Sequence, residues 1–177
     1  MLIYSDLSRT NRDLASLSVL SMLTAGPRRA DELHQTLVDA GRNFFAENLT
    51  ETSQELEQAG FIRPAGDALE LTDAGQDEAR RRVDELVRTP TSSSRITYAA
   101  MSFISLLPCG QAISALQHRA EKLTSMIGTL HDKITVAARA DQLLIETDYE
   151  LARLRAEREW VTGVADKLES QVLAWPE

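Results

Sequence analysis

The chain has 177 residues, 43% hydrophobic, 26% charged and 5% aromatic, with a net charge of −8. It is long enough to bury a core and too apolar for a disordered tail. Its lone cysteine, Cys109, excludes an internal disulfide framework and a four-cysteine zinc site.

Taken in chain order, the first element is a helix whose apolar face is Leu14, Leu17, Leu20 and Leu23, with Ala15 and Val19. Ser8, Thr10 or Asn11 is expected to cap its start, and Gly26-Pro27 to end it. A second helix is predicted from Arg29 or Ala30 to Ala40, with Leu33, Leu37 and Val38 inward and Gly41 as its stop. A third is predicted from Asn48 to Ala59, with Leu49, Thr52, Ser53 and Leu56 on one face and Asn48 or Thr50 as N-cap. Phe61-Ile62-Arg63 and Leu69-Glu70-Leu71 flank Pro64-Ala65-Gly66-Asp67, which reads as a small hairpin. Thr72 then opens a fourth helix through Ala79, Val83, Leu86 and Val87. Three helices, a hairpin and a helix fit a winged helix-turn-helix over residues 1–90.

Thr89-Pro-Thr-Ser-Ser-Ser94 reads as a linker or helix boundary. Beyond it strand signals vanish. Ile96–Leu107 reads as one compact helix closed by Pro108-Cys-Gly110. Ile113, Leu116, Ala120, Leu123, Ile127, Leu130 and Ile134 step by threes and fours, as a coiled-coil seam does. Ala137–Ala140 offers a break, and a last helix carries Leu151, Leu154, Val161, Ala165, Leu168 and Val172, with Arg158 in one seam position. Such narrow stripes need a partner, either each other or a second copy. Residues 95–177 are therefore expected to form a helical dimerisation module. The fold class expected is mainly α, a winged helix-turn-helix with a small β-hairpin followed by a long-helix dimerisation module.

Little in the sequence suggests catalysis. His34, His118 and His131 lack metal-ligand spacing, and no phosphate loop, nucleophile elbow or HExxH motif occurs. No enzyme activity, cofactor or metal is expected. There is no apolar run long enough for a membrane span, and MLIYSDLSRTNRD lacks a secretory pattern, so a cytoplasmic protein without membrane association is expected. Trp160 reads either as packing or as the wall of a small-molecule effector pocket between subunits.

Four strings resemble PadR-like transcriptional regulators. Leu17–Pro27 is similar to their first helix and its Gly-Pro turn, and Leu56-Glu-Gln-Ala-Gly-Phe-Ile62 to the exit from their recognition helix. Leu71-Thr-Asp-Ala-Gly75 resembles the opening of their post-wing helix, and Asp148–Val161 their last helix with its Trp. The resemblance implies a homodimeric, DNA-binding regulator, a repressor or an activator, with phenolic or cationic effectors at the dimer interface.

On that reading Asn48, Thr50, Thr52, Ser53 and Gln54 are the candidate base readers, since Asn and Gln can bond adenine. Phosphate grip falls to Arg9, Arg12, Arg28, Arg29, Arg42, Arg63 and Arg80–Arg82. For Arg28-Arg29 and for the arginine triplet, a solvated charged face is the competing reading. Charge runs the other way. Residues 1–90 carry −6 and residues 91–177 carry −2, and Glu47–Ala59 holds four glutamates and no cation. The rival expectation is therefore a winged-helix module that has lost DNA binding and docks a protein partner through an acidic face.

Overall fold

The structure is a computed structural model. It describes the backbone of residues 2–41, 46–139 and 145–176, and the side chains of 12–41, 46–136 and 145–176. The expected mainly-α winged-helix architecture is what forms. In order, the elements are α1 (Leu2–Leu23), β1 (Arg28–Arg29), α2 (Ala30–Asp39), α3 (Leu49–Gln58), β2 (Ile62–Ala65), β3 (Ala68–Leu71), α4 (Asp73–Arg88), α5 (Ser94–Ser102), a 3-10 turn (Ile104–Leu106), α6 (Cys109–Arg139) and α7 (Ile145–Glu169). Contacts divide the chain into two compact units, Met1–Arg82 and Val83–Glu177, and the division falls inside α4.

In the first unit the leucine stripe of α1 is fully buried, together with Leu33, Leu37, Leu49, Leu56, Ile62 and Ala79. The helix starts at Leu2, not at a cap near Ser8 to Asn11. No proline or glycine lies between Leu2 and Ala25 to stop helical hydrogen bonding from extending upstream. Val38 is 39% exposed instead of inward. One position past Leu37, it is rotated about 100° away from the buried stripe of α2. Asn48 occupies the N-cap position of α3, but its side chain makes no capping bond there.

The sheet has three antiparallel strands in the order β1-β3-β2, where the sequence suggested a hairpin alone. The extra strand is Arg28-Arg29, which pairs with Leu69 and Ala68 before α2 begins. β2 and β3 align Ile62 with Leu71 and Ala65 with Ala68 around a two-residue Gly66-Asp67 turn. Gly66 takes φ +68°, as the first position of a mirror-image hairpin turn requires.

Thr72 ties the wing to α4. Its Oγ1 accepts from the Gly75 amide at 3.0 Å and donates to the Gly60 carbonyl at 2.7 Å, while its amide donates to the Phe61 carbonyl at 3.0 Å. Thr72→Ala is expected to cost about 1 kcal/mol, as loss of a cap does, and Thr72→Ser to cost much less. Urea titrations of the two variants check this.

In the second unit α5 is capped by Ser93, whose Oγ accepts from the Ile96 amide. The expected Ile96–Leu107 helix breaks at Phe103 into α5 and the 3-10 turn, and Pro108-Cys-Gly110 opens α6. A proline is tolerated just ahead of a helix start, and the Pro108 carbonyl accepts from the Gln111 and Ala112 amides. α6 and α7 pack as an antiparallel pair; Gln117 Nε2 meets Glu169 Oε1 at 2.6 Å. The expected Ala137–Ala140 break lies partly outside the described residues. The buried stripe of α6 is Ala112, Ala115, Leu116, Arg119 and Leu123, whereas Ile113, Ala120, Ile127, Leu130 and Ile134 of the expected seam are half-buried. On α7, Leu151, Leu154, Val161, Ala165 and Leu168 are buried as expected. Val172 lies past the helix end and is exposed. Arg158 of the same expected seam is half-buried.

Candidate nucleic-acid interface

α3 has two chemically distinct faces. Leu49, Thr52 and Leu56 point into the core, at spacings of three and four residues. Thr50, Glu51, Gln54, Glu57 and Gln58 are exposed. Thr50 and Gln54, four residues apart, are neighbours on that outer face. Asn48 is half-buried at the start of the helix. Ser53 is half-buried with its Oγ buried and without a hydrogen-bond partner. Thr52 is only 3% exposed, so it leaves the set of candidate base readers. Its position in the register of Leu49 and Leu56 gives it to the core.

Most of the described cations around this helix are already engaged. Arg12 on α1 bridges Glu51 and Glu55 of α3, each at 3.4 Å. Arg29 pairs with Asp31 at 3.0 Å and with Asp67 at 2.7 Å. Arg63 on β2 pairs with Glu70, its cross-strand neighbour on β3. Arg80 lies 4.0 Å from Asp77, while Arg81 and Arg82 both bind Glu78 at 2.7 Å. Arg28 is half-buried on β1, and Arg9 and Arg42 lie outside the described side chains.

The electrostatics follow this pairing. The hydrogen bond from Arg29 holds the Asp31 carboxyl below the usual carboxylate range and raises the guanidinium's own pKa. Glu78 is lowered to about 2, chiefly by the Arg81 hydrogen bond and then by Arg82, against an opposing burial penalty. Asp31 and Glu78 therefore stay ionised at neutral pH. Most of the ion pairs are exposed and contribute little to stability. They do reduce the cationic charge available to a polyanion.

The sequence missed the most heavily bonded side chain of the second unit. Arg119 on α6 is fully buried. Its Nη2 and Nε donate to Glu157 Oε1 at 2.6 and 2.8 Å. Nη1 donates to the carbonyls of Leu86, Val87 and Thr89, at 3.3, 3.0 and 2.9 Å, and Nη2 also reaches Thr97 Oγ1 at 3.2 Å. The last carbonyls of α4, which have no helical donor, thus gain one. Arg153 completes the cluster, binding Glu157 at 3.0 Å and Glu150 at 2.6 Å. Trp160, the candidate effector residue, is 52% exposed on α7, alongside exposed Tyr149 and Ile145 on the same helix.

Among the described residues no cluster of His, Cys, Asp and Glu is arranged to hold a metal ion, and no helix is long and apolar enough to cross a membrane. A shallow concavity of about 220 Å³ lies between the α1–β1 turn and the β3–α4 junction, with Glu70 and Asp73 on its wall.

These features define a winged helix-turn-helix protein whose third helix offers a polar outer face beside an arginine-bearing wing. No protein-family model matches the chain, and no curated protein matches it. Among solved structures it is similar to PadR of Bacillus subtilis, with 17% identity over 89% of this chain and 96% of that one at a TM-score of 0.40. It is similar also to a PadR-like transcriptional regulator from Bacillus cereus, with 20% identity over 91% and 99% at 0.39. A third similar structure is Bacillus subtilis PadR in complex with operator DNA, with 18% identity over 88% and 95% at 0.34. Scores of this size assign no role to any particular residue.

Proposed function

We propose that the chain is a DNA-binding transcriptional regulator that acts as a homodimer, with residues 1–90 meeting DNA and residues 95–177 pairing the subunits. The observation that carries this reading is the outer face of α3, where Thr50 and Gln54 stand free of the core beside the wing. A helix of that kind is of the right size to enter a major groove. Thr50 and Gln54 read bases, with Asn48 and Ser53 at the margin. Arg28, Arg29 and Arg63 hold the phosphate backbone on either side of the wing. The exposed Ile145, Tyr149 and Trp160 of α7 supply apolar surface for a second copy, and Trp160 there forms one wall of a small-molecule effector site.

Gln54→Ala and Arg63→Ala separate the two kinds of contact. Gln54→Ala should weaken binding to the preferred duplex by about 1–3 kcal/mol and relax sequence preference. Arg63→Ala should weaken preferred and random duplexes alike and flatten the salt dependence. Competition binding with the two duplexes distinguishes them; equal loss of preference in both variants would contradict the assignment.

A second reading rests on the glutamates of α3. With Glu51, Glu55 and Glu57 on one helix and no lysine or arginine, the winged helix could dock a basic protein surface instead of DNA. Absence of duplex binding even at low salt favours that reading.

A further inference from the structure

We propose that Asp67, in the wing turn, sets the protein's affinity for a nucleic-acid backbone by holding Arg29 back from phosphate. The inference rests on the duplex-binding reading and adds to it a residue whose charge opposes the ligand.

The geometry is specific. Arg29 lies on the edge strand β1, in register with Ala68, one residue beyond the Gly66-Asp67 turn. Its Nη1 donates to Asp67 Oδ2 at 2.7 Å and its Nε to Asp31 Oδ1 at 3.0 Å. The guanidinium is about half exposed, and both carboxylates are mostly exposed. A phosphate that takes Arg29 either displaces Asp67 or shares the guanidinium with it, and in both cases lies close to that carboxylate, well within one Debye length of about 10 Å. The second wing arginine, Arg63, has the same arrangement with Glu70. Strand β1, the start of α2 and the wing together hold Arg28, Arg29 and Arg63 against Asp31, Glu32, Asp67 and Glu70. The surface that would meet phosphate thus carries one more formal negative charge than positive, and replacing Asp67 by a neutral residue balances it.

The turn does not need this charge to fold. Gly66 supplies the unusual φ, and asparagine, serine or glycine serves at the next position as well as aspartate does. Nor is the pair a structural staple, since exposed ion pairs of this kind stabilise weakly. What the carboxylate does change is whether Arg29 is available.

Four variants of the full chain test the proposal: Asp67→Asn, Asp39→Asn, Arg29→Ala, and Asp67→Asn combined with Arg29→Ala. Asp39 gives the same change in net charge, but its carboxylate accepts from Gln35 Nε2 at 2.7 Å and pairs with no arginine among the described side chains. Two readouts are taken: the salt concentration that elutes each protein from heparin, and duplex affinity across a salt series. Asp67→Asn should elute later than the parent protein, bind duplex about fivefold tighter at low salt and steepen the salt slope by about one. Asp39→Asn should shift much less, and most of the Asp67→Asn shift should vanish once Arg29 is alanine, leaving only the direct repulsion between carboxylate and phosphate.

Equal shifts for Asp67→Asn and Asp39→Asn would overturn the proposal, because net charge alone would then explain the effect. So would a shift that survives undiminished in the Arg29→Ala background, or identical elution of all four. If the heparin order holds while no variant binds duplex, the restraint on Arg29 stands and the DNA reading falls.

Discussion

Arg119→Ala is expected to destabilise the second unit by about 3–5 kcal/mol, the range for breaking a buried ion pair by removing one partner. The side chain is fully buried and donates to Glu157, Thr97 and three backbone carbonyls at once. Alanine leaves a void of most of an arginine's volume. It also strands the buried carbonyl of Val87 and the part-buried carbonyls of Leu86 and Thr89, and a buried unsatisfied acceptor costs about 1–3 kcal/mol. Glu157 keeps Arg153 at 3.0 Å, which limits the loss on the carboxylate side. The buried Val87 carbonyl keeps no such substitute, so it and the void dominate the cost. Arg119→Lys should recover part of the stability, because an ammonium keeps the charge but cannot span Glu157 and the end of α4 together. Thermal unfolding of both variants checks this. For a unit of this size each kcal/mol moves Tm by roughly 4–8 °C. A fall below about 5 °C for the alanine variant would show that the cluster contributes little.

The second large effect comes from a residue whose helix propensity points the other way. Gly75 lies in the first turn of α4, where alanine would ordinarily be favourable by up to about 1 kcal/mol. A Cβ on Gly75 would sit 2.0 Å from the Phe61 carbonyl oxygen and 2.9 Å from Leu71 Cδ1. The first obstacle is backbone, which cannot rotate away. That carbonyl also accepts from the Thr72 amide, so moving it breaks the link between wing and helix. The clash wins, and Gly75→Ala should cost about 3 kcal/mol, the upper end for overpacking. Because the damage sits in the wing hinge, duplex binding should fall with it. Hydrogen exchange at residues 61–72 in Gly75→Ala, compared with the parent, localises the effect. A variant as stable as the parent would mean that the close approach relaxes freely.

The two substitutions lie in different compact units and share no partners, so their free energies should add to within about 0.5 kcal/mol.

Much of this fold was legible because its signals are periodic or punctual. Leu14, Leu17, Leu20 and Leu23 repeat at the helical period. Gly26, Gly41, Gly60 and Gly66 all stand at positive φ, at helix ends or in the hairpin turn. Thr72 caps where a threonine before an acidic helix start should. What stayed hidden lacks periodicity. Arg28-Arg29 is a strand of two residues, too short for any alternation, and it exists only because β3 is there to pair with it. Arg119 was hidden for a different reason. An arginine between Leu116 and Leu123 reads as surface, so periodicity alone puts the seam on Ala120, one residue away. The usable signal was complementarity: Arg119 falls in the stripe of α6 and Glu157 falls between Leu154 and Val161 on α7. Opposite charges in two facing apolar stripes are better satisfied by each other than by leaving the core.

The candidate interface was legible in residue type but not in state. The sequence shows arginines at the wing and glutamates on the third helix. Only the fold shows that Arg12, Arg29 and Arg63 spend their charge on neighbouring carboxylates. Thr52 likewise carries a chemistry suited to base contacts, yet its place in the register of Leu49 and Leu56 assigns it to the core.

The most direct test of the DNA-binding account is an equilibrium titration of the full chain against duplex from the region upstream of its own coding sequence, repeated across a salt series. The account predicts saturable binding at low salt that weakens linearly on a log–log plot, with a slope matching a few phosphate contacts per subunit. Failure to bind at the lowest salt, with the protein folded, would contradict it and turn attention to a basic protein partner for the acidic face of α3.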